Sequence, residues 1–136
     1  MRMLALFLLT AWGPSVAVAQ DTTPPPPTHT PAITVEAALA RSVVDRQPQD
    51  TGTAFPADVG QIVLWTRVSG AGADEVIHHV WFHGDGQVAD VELRLGGSPW
   101  RTWSRKTIPP EATGAWSVEV RSAAGDVLQR IAFTIG

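Results

Sequence analysis

From Gln61 to the C-terminus, apolar and β-branched positions come in short alternating runs, separated by clusters of glycine and proline. The runs are Gln61–Val68, Glu75–His83, Gln87–Leu95, Trp100–Ile108, Gly114–Ser122 and Val127–Ile135. Strands at that spacing, with glycine-rich breaks, predict an antiparallel sandwich or barrel. The clearest run sets Ala89, Val91, Leu93 and Leu95 against Asp90, Glu92 and Arg94, an apolar face for a core and a charged face for water. The last run puts Val127, Ile131, Phe133 and Ile135 on one side. Upstream, Ile33–Val44 has an alanine-rich middle that suits a helix as well as a strand. A strand is preferred, because Val35, Ala37, Leu39 and Val43 share a side and Pro48 stops the element. The expected fold is then all-β, an immunoglobulin-like antiparallel β-sandwich of about seven strands.

The N-terminal pattern is different. A basic start at Met1-Arg2-Met3, the apolar run Leu4–Leu9 and the small residues Ala17 and Ala19 have the form of a secretory signal cut before Gln20. Its apolar run is too short to span a bilayer. Residues 20–32 hold four consecutive prolines, Pro24 to Pro27, and are expected to form an extended linker. The division expected is thus 1–19 signal peptide, 20–32 proline-rich linker and 33–136 β-sandwich domain, with no membrane span after cleavage and a periplasmic or extracellular address.

Composition narrows the chemistry. The chain has no cysteine, which removes disulfides, thiol nucleophiles and a lipid anchor on a cysteine. The formal net charge is −3 and no basic stripe is visible, so nucleic acid is not an expected partner. No phosphate loop, nucleophile elbow or calcium loop is present, and no cofactor is expected.

The stretch His78-His79-Val80-Trp81-Phe82-His83-Gly84-Asp85-Gly86 concentrates side chains that can ligate or transfer protons. On a strand, His79 and His83 lie about 13 Å apart, too far to share one ion, and His78 points away from both. No metal site is expected. Hairpin register decides where His79 and Trp81 point. A two-residue turn places them with Asp90 and Glu92, toward water. A three-residue turn over Gly84–Gly86, with Gly86 left-handed, places them with Ala89 and Val91 in the core, and this is the preferred reading. A catalytic set assembled in space from Ser104, His79 and Asp90 is a further possibility of the residue types present.

The most site-like segment is Trp100-Arg101-Thr102-Trp103-Ser104-Arg105-Lys106. Strand alternation separates Trp100, Ser104 and Lys106 from Arg101, Trp103 and Arg105, so each face carries a flat ring and a cation. Trp100, Arg101, Trp103, Ser104 and Lys106 are the candidate binding residues. The combination suits an acidic sugar or a carboxylate-bearing partner.

Several short motifs also resemble a known family. Val44-Asp45-Arg46-Gln47-Pro48, Leu64-Trp65-Thr66, His79-Val80-Trp81, the Trp100–Lys106 segment, Gly114-Ala115-Trp116-Ser117-Val118 and Gly125-Asp126-Val127-Leu128 are similar, in order and spacing, to a bacterial domain family of unknown function. The resemblance implies an exported or membrane-tethered module defined by His79, Trp81, Trp100, Arg101, Ser104, Lys106, Gly114 and Trp116. His79, Trp81, Gly114 and Trp116 are taken as its structural motif. The family often carries glutamate where this chain has Gln47, which leaves any role of that carboxylate unfilled here. The leading expectation is an exported, non-catalytic interaction module whose partner is an envelope protein or glycan. A carbohydrate-binding module is second, and a small envelope enzyme third.

Overall fold

Every run from Gln61 onward becomes a strand in the structure, a computed structural model that describes residues 33–136. The Ile33–Val44 element breaks at Arg41, and Pro48 sits inside a short strand instead of ending one. The signal and linker expectations, residues 1–32, lie outside the described residues. The seven longer strands are β1 (Thr34–Ala40), β5 (Gly60–Ser69), β6 (Val76–His83), β7 (Gly86–Arg94), β8 (Trp100–Ile108), β9 (Gly114–Ser122) and β10 (Val127–Ile135). Three short ones lie between the first two: β2 (Ser42–Val44), β3 (Gln47–Gln49) and β4 (Ala54–Phe55). Among the described residues no helix is long and apolar enough to cross a membrane.

A three-stranded sheet in the order β1-β5-β8 packs on a five-stranded sheet in the order β4-β10-β9-β6-β7. Pairing is antiparallel except where β4 runs parallel to β10. Between the sheets lie Leu39, Ile62, Leu64 and Val68 from one side and Ile77, Trp81, Val118 and Phe133 from the other. Phe133 anchors an aromatic cluster. The Trp81 ring meets it edge-on at 6.2 Å, Phe55 edge-on at 6.4 Å, and Trp116 stacks on it at 5.9 Å. Gly114, the first residue of β9, has φ of 106°, a value that residues with a side chain rarely adopt.

The hairpin joining β6 and β7 corrects one expectation. The turn has two residues, since His83 pairs with Gly86, and the left-handed position is Gly84 at φ 59° instead of Gly86. Glycine first in a two-residue turn is the II′ habit, matched to the strand twist. Alone, that turn would face Trp81 to water. A bulge restores the phase: Phe82 pairs with Gln87 but Trp81 pairs with Ala89, so Val88 is extra and exposed. His79 and Trp81 therefore face the core by a different route from the one expected. A second bulge, between Val127 and Gln129, corrects the last strand: Val127 is exposed while Phe133 and Ile135 are buried.

The β2–β3 hairpin lies over the outer face of the three-stranded sheet. Val63 and Trp65, on the side of β5 away from the core, are buried there, and the Trp65 indole N–H donates to the Arg46 carbonyl at 2.9 Å. Asp45 and Arg46 form the hairpin's tip, both with positive φ (51° and 63°).

Candidate functional site

Two groupings of polar side chains stand out, one sealed and one open. The sealed one is His79, fully buried between the sheets, with Nδ1 2.7 Å from Ser104 Oγ and Nε2 3.3 Å from Thr66 Oγ1. The Thr66 hydroxyl donates to the Thr102 carbonyl at 2.9 Å, which uses its single proton. Nε2 must then carry the imidazole proton and donate to Thr66, leaving Nδ1 to accept from Ser104. Burial lowers the His79 pKa from 6.5 to about 3. An imidazole held neutral that firmly is a poor base near neutral pH. Asp90 does not join this pair. It lies on the opposite face of its sheet, 2.7 Å from His78. Among the described residues no three His, Cys, Asp or Glu side chains come together as a metal site.

The open grouping is a groove of about 650 Å³ along the first half of β8. It contains four arginines: Arg46 from the β2–β3 tip, Arg67 from β5, Arg94 from the end of β7 and Arg101 from β8. Trp100 and Trp103 stand among them, with Pro99 and Thr102 completing the lining. Among the described residues no carboxylate lines it. The ion pairs among the described residues are His78–Asp90 and Arg121–Glu119, and neither involves these arginines. Arg67 and Arg101 are cross-strand partners, a placement that puts Cβ atoms roughly 5 Å apart. β8 is the edge of its sheet and β7 the edge of the other, and Arg67, Arg101 and Trp103 share the outer face of the three-stranded sheet at that edge.

Trp100 is held by a missing side chain. A Cβ built on Gly96 would come within 2.6 Å of the Trp100 ring, so the indole lies against the bare backbone of the β7–β8 connection. It is still 37% exposed. Trp103 is half-buried and pairs across the sheet with buried Trp65.

Of the candidate binding residues, the structure brings Trp100, Arg101 and Trp103 together in the groove and leaves two out. Ser104 is buried against His79, and Lys106 lies farther along β8, outside the groove lining, its Nζ on the Thr107 carbonyl. Of the structural motif, His79, Trp81 and Trp116 are buried. Arg46, Arg67 and Arg94 were invisible as site residues. They are spread over nearly fifty positions, and only non-local strand pairing joins them; the one available hint is that arginine supplies almost every cation in the chain.

Comparison with known proteins adds a family match over part of the chain but no activity. Residues 74–135 match a protein family of unknown function (DUF2914). That stretch runs from just before β6 to the end of β10, and so holds Arg94, Trp100, Arg101 and Trp103 but neither Arg46 nor Arg67. No curated protein matches the chain. Among solved structures, an engineered protein is similar at 14% identity and a TM-score of 0.41, over 77% of this chain and 20% of that one. The β-glucosidase of Kluyveromyces marxianus is similar at 13% identity and a TM-score of 0.41, over 77% of this chain and 14% of that one. The chain thus spans a fifth or less of these solved proteins.

Proposed function

We propose that the chain is an exported, non-catalytic β-sandwich module that acts in the periplasm or at the cell envelope by holding an acidic partner in the groove beside β8. One observation carries this reading: four arginines line one groove, with no carboxylate of the described residues in its lining, in a chain whose net charge is −3. Arginines facing each other repel and cost stability, a cost that an anion from outside would relieve. The signal-like residues 1–19 and the proline-rich residues 20–32 support export and a tethered module. A non-catalytic role is supported by the fate of the Ser104–His79 pair, which is shut in the core with a weakly basic imidazole.

The test is a titration of the intact chain with poly-L-glutamate at low salt, followed by tryptophan fluorescence. Binding should saturate, weaken steeply with added salt, and fall about tenfold or more in a double Arg67→Gln, Arg101→Gln variant. Affinity unchanged in that variant would remove the groove from consideration.

A further inference from the structure

We infer that the groove's ligand is an acidic polysaccharide built of uronic-acid sugars, bound by carboxylate–guanidinium contacts with its rings on Trp100. This rests on the anion-binding reading above and names the anion.

Charge alone does not select a sugar, but the groove joins charge to two further features. The first is a prepared ring platform. Gly96 lets the Trp100 indole lie against backbone, which fixes its position before any ligand arrives, while more than a third of the residue stays open in the groove. Indoles pack well against the apolar C–H face of a sugar ring. A run of acidic residues carries its carboxylates on flexible stems and offers no apolar C–H ring face for that platform. A uronate residue carries a carboxylate and a ring face in the same unit.

The second is the arrangement of the cations. Guanidinium groups match planar carboxylates through paired hydrogen bonds. Arg67 and Arg101 face each other across two strands, Arg94 comes from the far sheet, and Arg46 stands on a left-handed turn. Left-handed backbone is unfavourable for a residue with a Cβ, and here it is held by the Trp65 indole on the Arg46 carbonyl. Cations delivered from separate elements into one open-sided groove suit charges repeated along a chain better than one compact anion. With no carboxylate of the described residues in the lining, the uronate meets arginine directly, with no bridging calcium.

The experiment compares three probes on the intact chain by calorimetric titration: an oligogalacturonate, the same oligosaccharide with its carboxyl groups reduced to alcohols, and poly-L-glutamate. The oligogalacturonate should bind about tenfold or more tightly than either of the others, per charged unit for the peptide. Gly96→Ala keeps every charge and pushes the Trp100 ring aside; it should weaken oligogalacturonate several-fold and leave poly-L-glutamate unchanged. Arg101→Gln should weaken both acidic probes, and Arg67→Gln repeats that arm if the first variant fails to fold. Poly-L-glutamate binding as tightly as oligogalacturonate, with Gly96→Ala affecting neither, overturns the sugar inference and leaves the anionic groove standing. Binding of neither acidic probe overturns both.

Discussion

Arg67 and Arg101 stand directly opposite each other across β5 and β8, exposed and without an ion pair among the described residues. Glu36, which faces Arg67 from β1 on the other flank, does not close an ion pair with it either. Facing like charges oppose strand pairing by roughly 0.2–1 kcal/mol. Arg101→Gln should therefore leave the melting temperature unchanged or raise it slightly, and the gain should shrink as salt screens the repulsion. A marked loss of stability would instead show that the arginine stem packs as part of the fold.

His79 predicts a pH dependence. Its folded pKa, about 3, lies below its ordinary 6.5 because burial disfavours the charged ring. The unfolded chain thus binds the proton more readily between those values. The stability that a neutral His79 allows is complete above pH 6.5 and is lost progressively as pH falls toward 3, at a slope approaching about 1.4 kcal/mol per pH unit. Urea unfolding of the wild type between pH 7 and 5 should show this slope, a window set above the usual carboxylate range. His79→Gln should be less stable at pH 7 but flatter across the window. Equal slopes in both proteins would place the titrating group elsewhere.

The tryptophans should divide sharply. Trp81 is fully buried and Trp116 nearly so, both on Phe133. Alanine at either should cost about 3–5 kcal/mol, a large part of a small domain's stability. Trp100→Ala should cost far less while abolishing most of the acrylamide-quenchable fluorescence. Chemical denaturation and quenching on the same variants check both statements.

Export makes its own prediction. The mature protein should begin at Gln20, and N-terminal sequencing of material from the periplasm or medium should find it there. Recovery of Met1 on most of the cellular protein would overturn the signal reading.

How much was legible depended on the range of the interaction involved. The long strands follow from local alternation, which is why β8 and β9 have the expected bounds and why Ala89, Val91 and Leu93 turn inward. The short strands carry no such pattern. β4 is two residues long and exists because Phe55 packs on Phe133 and pairs with Ile135 from the far end of the chain. Val88 shows a subtler limit: turn length alone implies the wrong face for Trp81, and a bulge driven by burying that ring reverses the outcome. The site divides in the same way. Trp100, Arg101 and Trp103 were legible because they are neighbours on one strand, whereas Arg67 gains its meaning from a partner 34 positions away.

The bond from Trp65 to Arg46 has a consequence for how such a groove could be retuned. The indole grips a main-chain carbonyl, an atom every amino acid supplies, so the latch is indifferent to the side chain it holds up. Position 46 is therefore interchangeable as far as the clasp is concerned, and asparagine or glycine would even ease the left-handed backbone there. The hairpin tip works as a socket: the fold secures its place, and the residue plugged into it sets the charge presented to the ligand.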